Sequence, residues 1–188
     1  EDVITGTIPK CSRYWSLEST IRDKNSNLFL GSEIDAIYQL ENLLRNSIAG
    51  QLLGDVPIGA FLSGGIDSST VVSIMQNQSI NPINTFTIGF EELAFDESKS
   101  AKEISSYLGT NHHEFFVSPS DALNIIPKLS EIYDEPFSDV SQIPTYLISQ
   151  FSSQKVKVCL SGDGGDELFC GYSRHIAGPN IWRILQKI

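Results

Sequence analysis

Four segments of the 188-residue chain are rich in apolar and β-branched residues, and helix-length stretches separate them. They are VPIGAFL (56–62), INTFTIGF (83–90), HHEFFV (112–117) and KVKVCL (155–160). A strand apolar on both sides must be covered on both sides, which antiparallel hairpins with one wet face do not provide. Between the segments, apolar residues recur at three- and four-residue steps, the helical period. Strands alternating with helices imply an α/β fold: an open parallel sheet with helices on both faces, Rossmann-like in layout. The length suits one such domain.

Capping signals mark the helices. Ser32 followed by Asp35 opens one with Ile34, Ile37, Leu40, Leu43, Leu44 and Ile48 on a face, ending near Gly50. A second is expected from Ser68, burying Val71, Val72 and Met75, and a third from Asp96, closed by Gly109. Ser118, Pro119 and Asp121 start a fourth that runs through Tyr133, and a fifth is expected from about Val140 to Ser152. Residues 1–31 are mixed and polar and read as a short strand plus a linker, which leaves 32–188 as the domain. The start at Glu1 rather than Met, with no apolar stretch typical of a signal peptide, suggests a piece of a longer protein.

With 13 Lys plus Arg against 23 Asp plus Glu, the formal charge is -10, which argues against a nucleic-acid partner. No apolar run reaches membrane length, so no membrane is expected either. Three cysteines without a C-x-x-C support neither a disulfide framework nor a zinc ribbon and fit a cytoplasmic protein.

Two glycine-rich loops follow apolar strands. In an open α/β sheet ligands sit beyond the carboxyl ends of the strands, which is where both loops fall. In the first, LSGGIDSS, Gly64 and Gly65 let backbone amides approach an anion, and the next helix adds its positive end. The loop lacks the lysine of a Walker A sequence and the flanking glycines of a nucleophile elbow. A carboxylate at Asp67 beside a phosphate cradle calls for a bridging cation, so Mg²⁺ is expected with the nucleotide. The second loop, SGDGGDELFCGY, places Asp163, Asp166 and Glu167 within five residues, again demanding a divalent ion or another cation.

Other features have plainer readings. His112 and His113 lack an H-E-x-x-H context and are taken as structural. Asp96 and Glu97 are taken as a helix start, and the S-x-x-K at Ser152 to Lys155 and the N-x-S at Asn77 carry no weight. The segment YDEPFSD (133–139) is either a plain proline-bearing loop or the substrate side of the site.

LSGGIDSS resembles the pyrophosphate-binding loop of the ATP pyrophosphatase superfamily, whose fold is the adenine nucleotide alpha hydrolase type. TFTIGFEELAFDESKSAKEISSYLGTNHHE, YDEPFSDVSQIPTYLIS and VKVCLSGDGGDELFCGYSRH resemble, in family order, the synthetase domain of glutamine-hydrolysing asparagine synthetases. The likeness runs from about Asp55 to His175, and RYW at Arg13 to Trp15 resembles the interdomain linker.

The resemblance implies ATP and Mg²⁺ as cofactors. The aspartate side-chain carboxylate is adenylated to β-aspartyl-AMP with loss of pyrophosphate, and ammonia derived from glutamine then displaces AMP. By the same resemblance Ser63, Gly64, Gly65, Asp67 and Ser68 hold pyrophosphate, while Leu62 and Ile88 line the adenosine pocket. Ser161 and Gly162 sit on AMP, and Asp67 and Asp166 bind metal. Asp163 is the catalytic position at the acyl-adenylate, one methylene shorter than the Glu of many relatives, and Cys170 stands where Gly is usual and is read as a small packing residue.

The implied partners are aspartate, ammonia or glutamine, and a glutaminase domain of the same polypeptide that lies outside these residues, as does the family's catalytic lysine. The isolated segment is therefore expected to bind nucleotide at most, and a homodimer stays open. An amidotransferase or β-lactam-synthetase-like enzyme acting on another carboxylate, and a non-catalytic nucleotide-binding module, are the alternatives.

Overall fold

A computed structural model describes residues 11–25, 28–90 and 96–186. Contacts divide the chain into two compact units, Glu1–Asn42 and Leu43–Ile188. In the first, the segment expected as a short strand plus a linker carries a helix, α1 (Leu17–Asn25), and residues 1–10 lie outside the described residues. The Ser16 hydroxyl accepts the Ser19 amide at 3.1 Å, and Arg22 pairs with Glu18 at 2.6 Å one turn apart. A cap and an i,i+4 ion pair stabilise a helix whose apolar periodicity is too sparse to announce it.

Helix α2 (Glu33–Gln51) begins with the expected reciprocal cap: Asp35 N–H donates to the Ser32 hydroxyl at 3.2 Å, and Ser32 N–H to the Asp35 carboxylate at 3.0 Å. Of its carboxyl half, Leu44 and Ile48 enter the core, while Leu43 stays exposed.

The larger unit carries β1 (Ile58–Phe61), α3 (Ile66–Gln78), β2 (Asn84–Phe90), α4 (Ser98–Leu108) and β3 (Asn111–Val117). There follow α5 (Pro119–Ile125), a 3₁₀ turn (Ile126–Lys128), α6 (Leu129–Ile132), α7 (Gln142–Ser152), β4 (Val158–Leu160), α8 (Gly165–Phe169) and α9 (Ser173–Leu185). The four strands form one sheet in the order β3-β2-β1-β4, and every neighbouring pair is parallel.

Apolar layers lie on both faces. Ala60, Leu62, Val72, Met75 and Ala101 pack with Ile48 under α2, α3 and α4. On the other face Val117, Ile125 and Leu147 gather Ile88, Phe115 and Ile143 beneath α5 and α7, and Phe151 stacks on Phe115 at 5.1 Å. Strand β2 serves both layers by alternation: Phe86 meets Phe151 edge-on, while the Thr85 hydroxyl bonds Thr110 beside α4.

The element boundaries differ from expectation for local reasons. Helix α3 starts at Ile66, two residues early, with Gly65 as its N-cap. The helix expected to reach Tyr133 breaks at Pro127, which has no N–H to continue it. Strand β4 is shorter than 155–160 because the amides of Lys155 and Val156 donate to Ser152 O in the turn after α7. Gly109 closes α4 in the left-handed region at φ 73°, as expected. No described helix is long and apolar enough to cross a membrane.

Candidate functional site

The first loop leaves β1 with its register intact for one more residue. Leu62 N–H donates to Phe86 O at 2.9 Å, and Leu62 O accepts the hydroxyl of Thr87. Beyond it, Ser68 reaches back: its Oγ accepts the Ser63 amide at 3.2 Å and lies 3.0 Å from Ser63 Oγ, which in turn accepts Gly65 N–H at 3.3 Å. Two hydroxyls thus hold the turn closed from inside. Gly64 has φ 85°, and a Cβ there would come within 2.8 Å of Ser100 Cβ and 3.1 Å of the Ala101 nitrogen, so conformation and space both require glycine. No side chain caps α3. The first-turn amides of a 13-residue helix therefore face the loop mouth without a protein carboxylate or hydroxyl on them.

The second loop follows β4, the neighbour of β1. Ser161 donates its hydroxyl to Asp163 Oδ2 at 3.0 Å, and Gly165 N–H donates to Gly162 O at 3.1 Å. Gly164 opens α8 at φ 90°. Cys170 ends it at φ 65° and is exposed, so it is not the small buried packing residue expected from sequence. Its neighbour Gly171 donates its amide to Asp166 O at 3.0 Å, and a Cβ on Gly171 would overlap the Asp166 carboxylate.

The two loops interlock. A Cβ on Gly162 would stand 2.7 Å from the Ser68 nitrogen and 3.1 Å from the Asp67 carbonyl carbon, and one on Gly165 would overlap the Asp67 carboxylate. Asp67 therefore lies against the second loop, and the amide end of α3 lies against Gly162.

Around this junction are three cavities. One of about 680 Å³ runs between the loops, bounded by Ser63, Asp67, Ser68, Ser161, Gly162 and Asp166. Beside it, one of about 540 Å³ is mostly apolar and includes Leu62, Ile88, Phe90, Pro144 and Ile148. On the far side of the second loop a polar cavity of about 630 Å³ is framed by Tyr133, Phe137, Asp139, Asp163, Glu167 and Tyr172. Thr145 of α7 borders all three, and Glu97 borders the first two. Every expected site residue except Gly64, which lies against α4, lines one of the three cavities.

Among the described residues lining the three cavities none is Lys or Arg, while Glu97, Asp67, Asp163, Asp166, Asp139 and Glu167 are acidic. The Tyr172 hydroxyl, donating to Glu167 Oε1 at 2.7 Å, is the main reason the Glu167 carboxyl sits below its ordinary range. Asp139 is held low chiefly by the Ser141 amide, which donates to it at 2.8 Å. Among the described residues no group of three or more His, Cys, Asp or Glu side chains could hold a metal by itself.

His112 and His113 lie at the other end of the sheet, opposite Thr85 and Phe86 in the register. His112 Nδ1 pairs with the Thr85 hydroxyl and His113 Nε2 with Asn84 Oδ1, so both are structural, as expected. Sequence reasoning passed over Thr145 and Ile148 and took Glu97 for a helix start. Thr145 falls between the core positions Ile143 and Leu147 and so projects from the other side of α7, the one pattern that pointed to it.

The open parallel sheet places its two interlocked glycine loops past adjacent strands, where α/β domains of this type bind ligands. The chain belongs to the asparagine synthase family, whose model, described as Asparagine synthase, matches residues 39–188. It is 45% identical over 139 residues to a putative glutamine-hydrolyzing asparagine synthetase 2 of Methanocaldococcus jannaschii, covering 73% of this chain and 27% of that protein. It is 38% identical over 138 residues to the glutamine-hydrolyzing asparagine synthetase 1 of Bacillus subtilis, covering 73% and 22%. The chain thus spans about a quarter of the length of these curated relatives. Among solved structures it is similar to an NH3-dependent NAD synthetase of Campylobacter jejuni, with TM-score 0.49 and 14% identity over 72% of this chain and 60% of that one.

Proposed function

We propose that this chain is the nucleotide-binding part of an ATP-dependent, glutamine-hydrolysing asparagine synthetase. The observation that carries the reading is the interlock of the loops, with Gly162 on the Ser68 amide and Gly165 on the Asp67 carboxylate. It gives one cleft both an uncapped helix end for phosphates and a set of carboxylates.

Leu62 and Ile88 take the adenosine in the apolar cavity. Ser63, Gly64, Gly65 and Ser68, with the first amides of α3, receive the β- and γ-phosphates. Ser161 and Gly162 lie along the AMP portion. Of the carboxylates on this cleft, Asp67 and Asp166 are the pair assigned to metal, and no three described acids together could hold one alone. A pair suits Mg²⁺, which binds through one or two carboxylates together with substrate phosphates. When bound, the ion neutralises the charge that builds on the phosphates.

The acceptor carboxylate enters from the polar cavity. Its oxygen forms a bond to the α-phosphorus, the bond to the bridging oxygen breaks, and pyrophosphate leaves toward α3 with the electron pair. Ammonia then attacks the acyl carbon, loses a proton and expels AMP. Asp163 borders both the polar cavity and the phosphate cleft, which supports a role for its carboxylate at the acyl-adenylate. Positioning and charge compensation supply most of the acceleration in such transfers. The ammonia is derived from glutamine in a glutaminase domain of the same polypeptide, and a cytoplasmic setting suits the three free cysteines.

The test is AMP and pyrophosphate release by the full-length protein with Mg·ATP against a panel of carboxylates. Release that depends on L-aspartate, and is lost in Asp67→Asn, is expected. Release indifferent to aspartate would end the asparagine assignment.

A further inference from the structure

In the proposed reaction adenosine lies in the apolar cavity, the leaving pyrophosphate in the phosphate cleft and the acceptor in the polar cavity, and the α-phosphorus is joined to all three. It therefore stands where the cavities meet. Among the described residues Thr145 alone borders all three, and it alone is shared by the apolar and polar cavities.

Two features suit Thr145 to that place. The core positions Ile143 and Leu147 fix the rotation of α7, and Pro144 and Ile148, beside Thr145 along the apolar cavity, carry no polar group. Its hydroxyl is also unengaged. A helical threonine commonly turns its hydroxyl back to the carbonyl one turn earlier, as Thr70 does to Ile66 O at 2.8 Å. Thr145 is exposed; its amide donates to Ser141 O at 2.9 Å, while its hydroxyl has no hydrogen-bond partner among the described residues. The other hydroxyls on the phosphate cleft do have partners: Ser63 and Ser68 hold each other at 3.0 Å, and Ser161 donates to Asp163 at 3.0 Å.

On this basis, and resting on the proposed synthetase reading, we infer that Thr145 is a further catalytic residue, whose hydroxyl donates a hydrogen bond to a non-bridging oxygen of the α-phosphoryl group. As the acceptor oxygen bonds to phosphorus and pyrophosphate leaves with the electron pair of the broken bond, the hydroxyl keeps its proton and its hydrogen bond tightens on the transferring group. Asp163 and Asp166 border the same cleft and repel that group, and no described Lys or Arg lines the cavities. A neutral donor held on a packed helix orients the group without adding to the repulsion.

The experiment uses the full-length protein with L-aspartate and Mg·ATP, or with each α-thio diastereomer of ATP in its place. Thr145→Val keeps the shape of the side chain and removes the hydroxyl. Its kcat for pyrophosphate release is expected to fall about tenfold or more, the worth of a hydrogen bond to a charged group, with KM for Mg·ATP and aspartate within about twofold of wild type. Thr145→Ala, with a stronger helix former, should show the same split, and Thr145→Ser should recover most of the loss. Sulfur accepts hydrogen bonds weakly, so valine should slow the diastereomer that leaves the contacted oxygen in place and barely affect the one that replaces it. An undiminished kcat in either hydroxyl-free variant, equal slowing of both diastereomers, or a serine variant as impaired as valine overturns the inference. Wild-type protein that releases no pyrophosphate with aspartate would instead refute the underlying synthetase reading.

Discussion

Replacing Gly162 with alanine tests the interlock directly. Its added Cβ would stand 2.7 Å from the Ser68 nitrogen and 3.1 Å from the Asp67 carbonyl carbon, whereas ordinary contact begins near 3.4 Å. The loops must part by about 0.7 Å at this point, and neither obstacle is a flexible side-chain end. Overpacking of this kind costs about 1–3 kcal/mol. The functional loss should be larger than the stability loss suggests, because a displacement near 1 Å between reacting groups can lower rates about 100-fold. Gly164→Ala is the control: its φ of 90° makes alanine strained, yet its Cβ would meet open space. That strain is worth about 1–2 kcal/mol and does not separate the loops. Pyrophosphate release and Mg·ATP affinity of the full-length variants, read beside their thermal melts, decide the matter. Gly162→Ala should be stable enough to fold and at least tenfold impaired, with Gly164→Ala destabilised but much less impaired. Equal activity losses in the two variants, or wild-type nucleotide affinity in Gly162→Ala, would refute the reasoning.

Three further outcomes follow from the structure. Cys170→Gly relieves a left-handed residue at φ 65° and should stabilise the domain by up to about 1 kcal/mol in urea denaturation, since part of the gain is offset by the freer unfolded glycine. Thr85→Val removes a fully buried hydroxyl, leaving Thr110 and His112 Nδ1 without it, and should cost about 1–3 kcal/mol by the same measurement. Burial holds His112 and His113 below the ordinary imidazole range, so below about pH 6.5 the unfolded chain binds more protons than the folded one. Their contribution is therefore fully present above that pH and lost as pH falls toward the depressed folded values. Urea midpoints measured from pH 7.5 downward should decline across that window, and less so in His112→Asn.

The parallel sheet was legible because apolar and β-branched strand segments alternate with helical periods, and the capped helices because Ser32, Ser118 and Gly109 each supply a local hydrogen-bonding or conformational reason. Helix α1 escaped notice because a hydroxyl cap and an exposed ion pair leave no apolar stripe. The residues of both glycine loops could be picked from their types and their place after strands. Thr145 and Ile148 were far less legible, since they come from a helix distant in sequence that the fold lays over the cleft, and only the helical spacing from Ile143 and Leu147 hints at Thr145.

Glycine spacing carries a second kind of information that only the folded chain discloses. Gly64 and Gly164 answer to their own backbones, with φ of 85° and 90°, although Gly64 also lies close against Ser100 and Ala101. Gly162, Gly165 and Gly171 answer to other residues: the Ser68 amide, the Asp67 carboxylate and the Asp166 carboxylate. A local rule explains the first pair and is silent on the others. The close approach they permit brings the carboxylates of Asp67 and Asp166 to one cleft. In the proposed synthetase a shared Mg²⁺ would offset two like charges there, so the small residues and the acids would act as a single device. Enlarging one of those glycines and neutralising one of those acids should therefore impair the same step, and the double variant Gly165→Ala/Asp67→Asn should lose less than the sum of its parts.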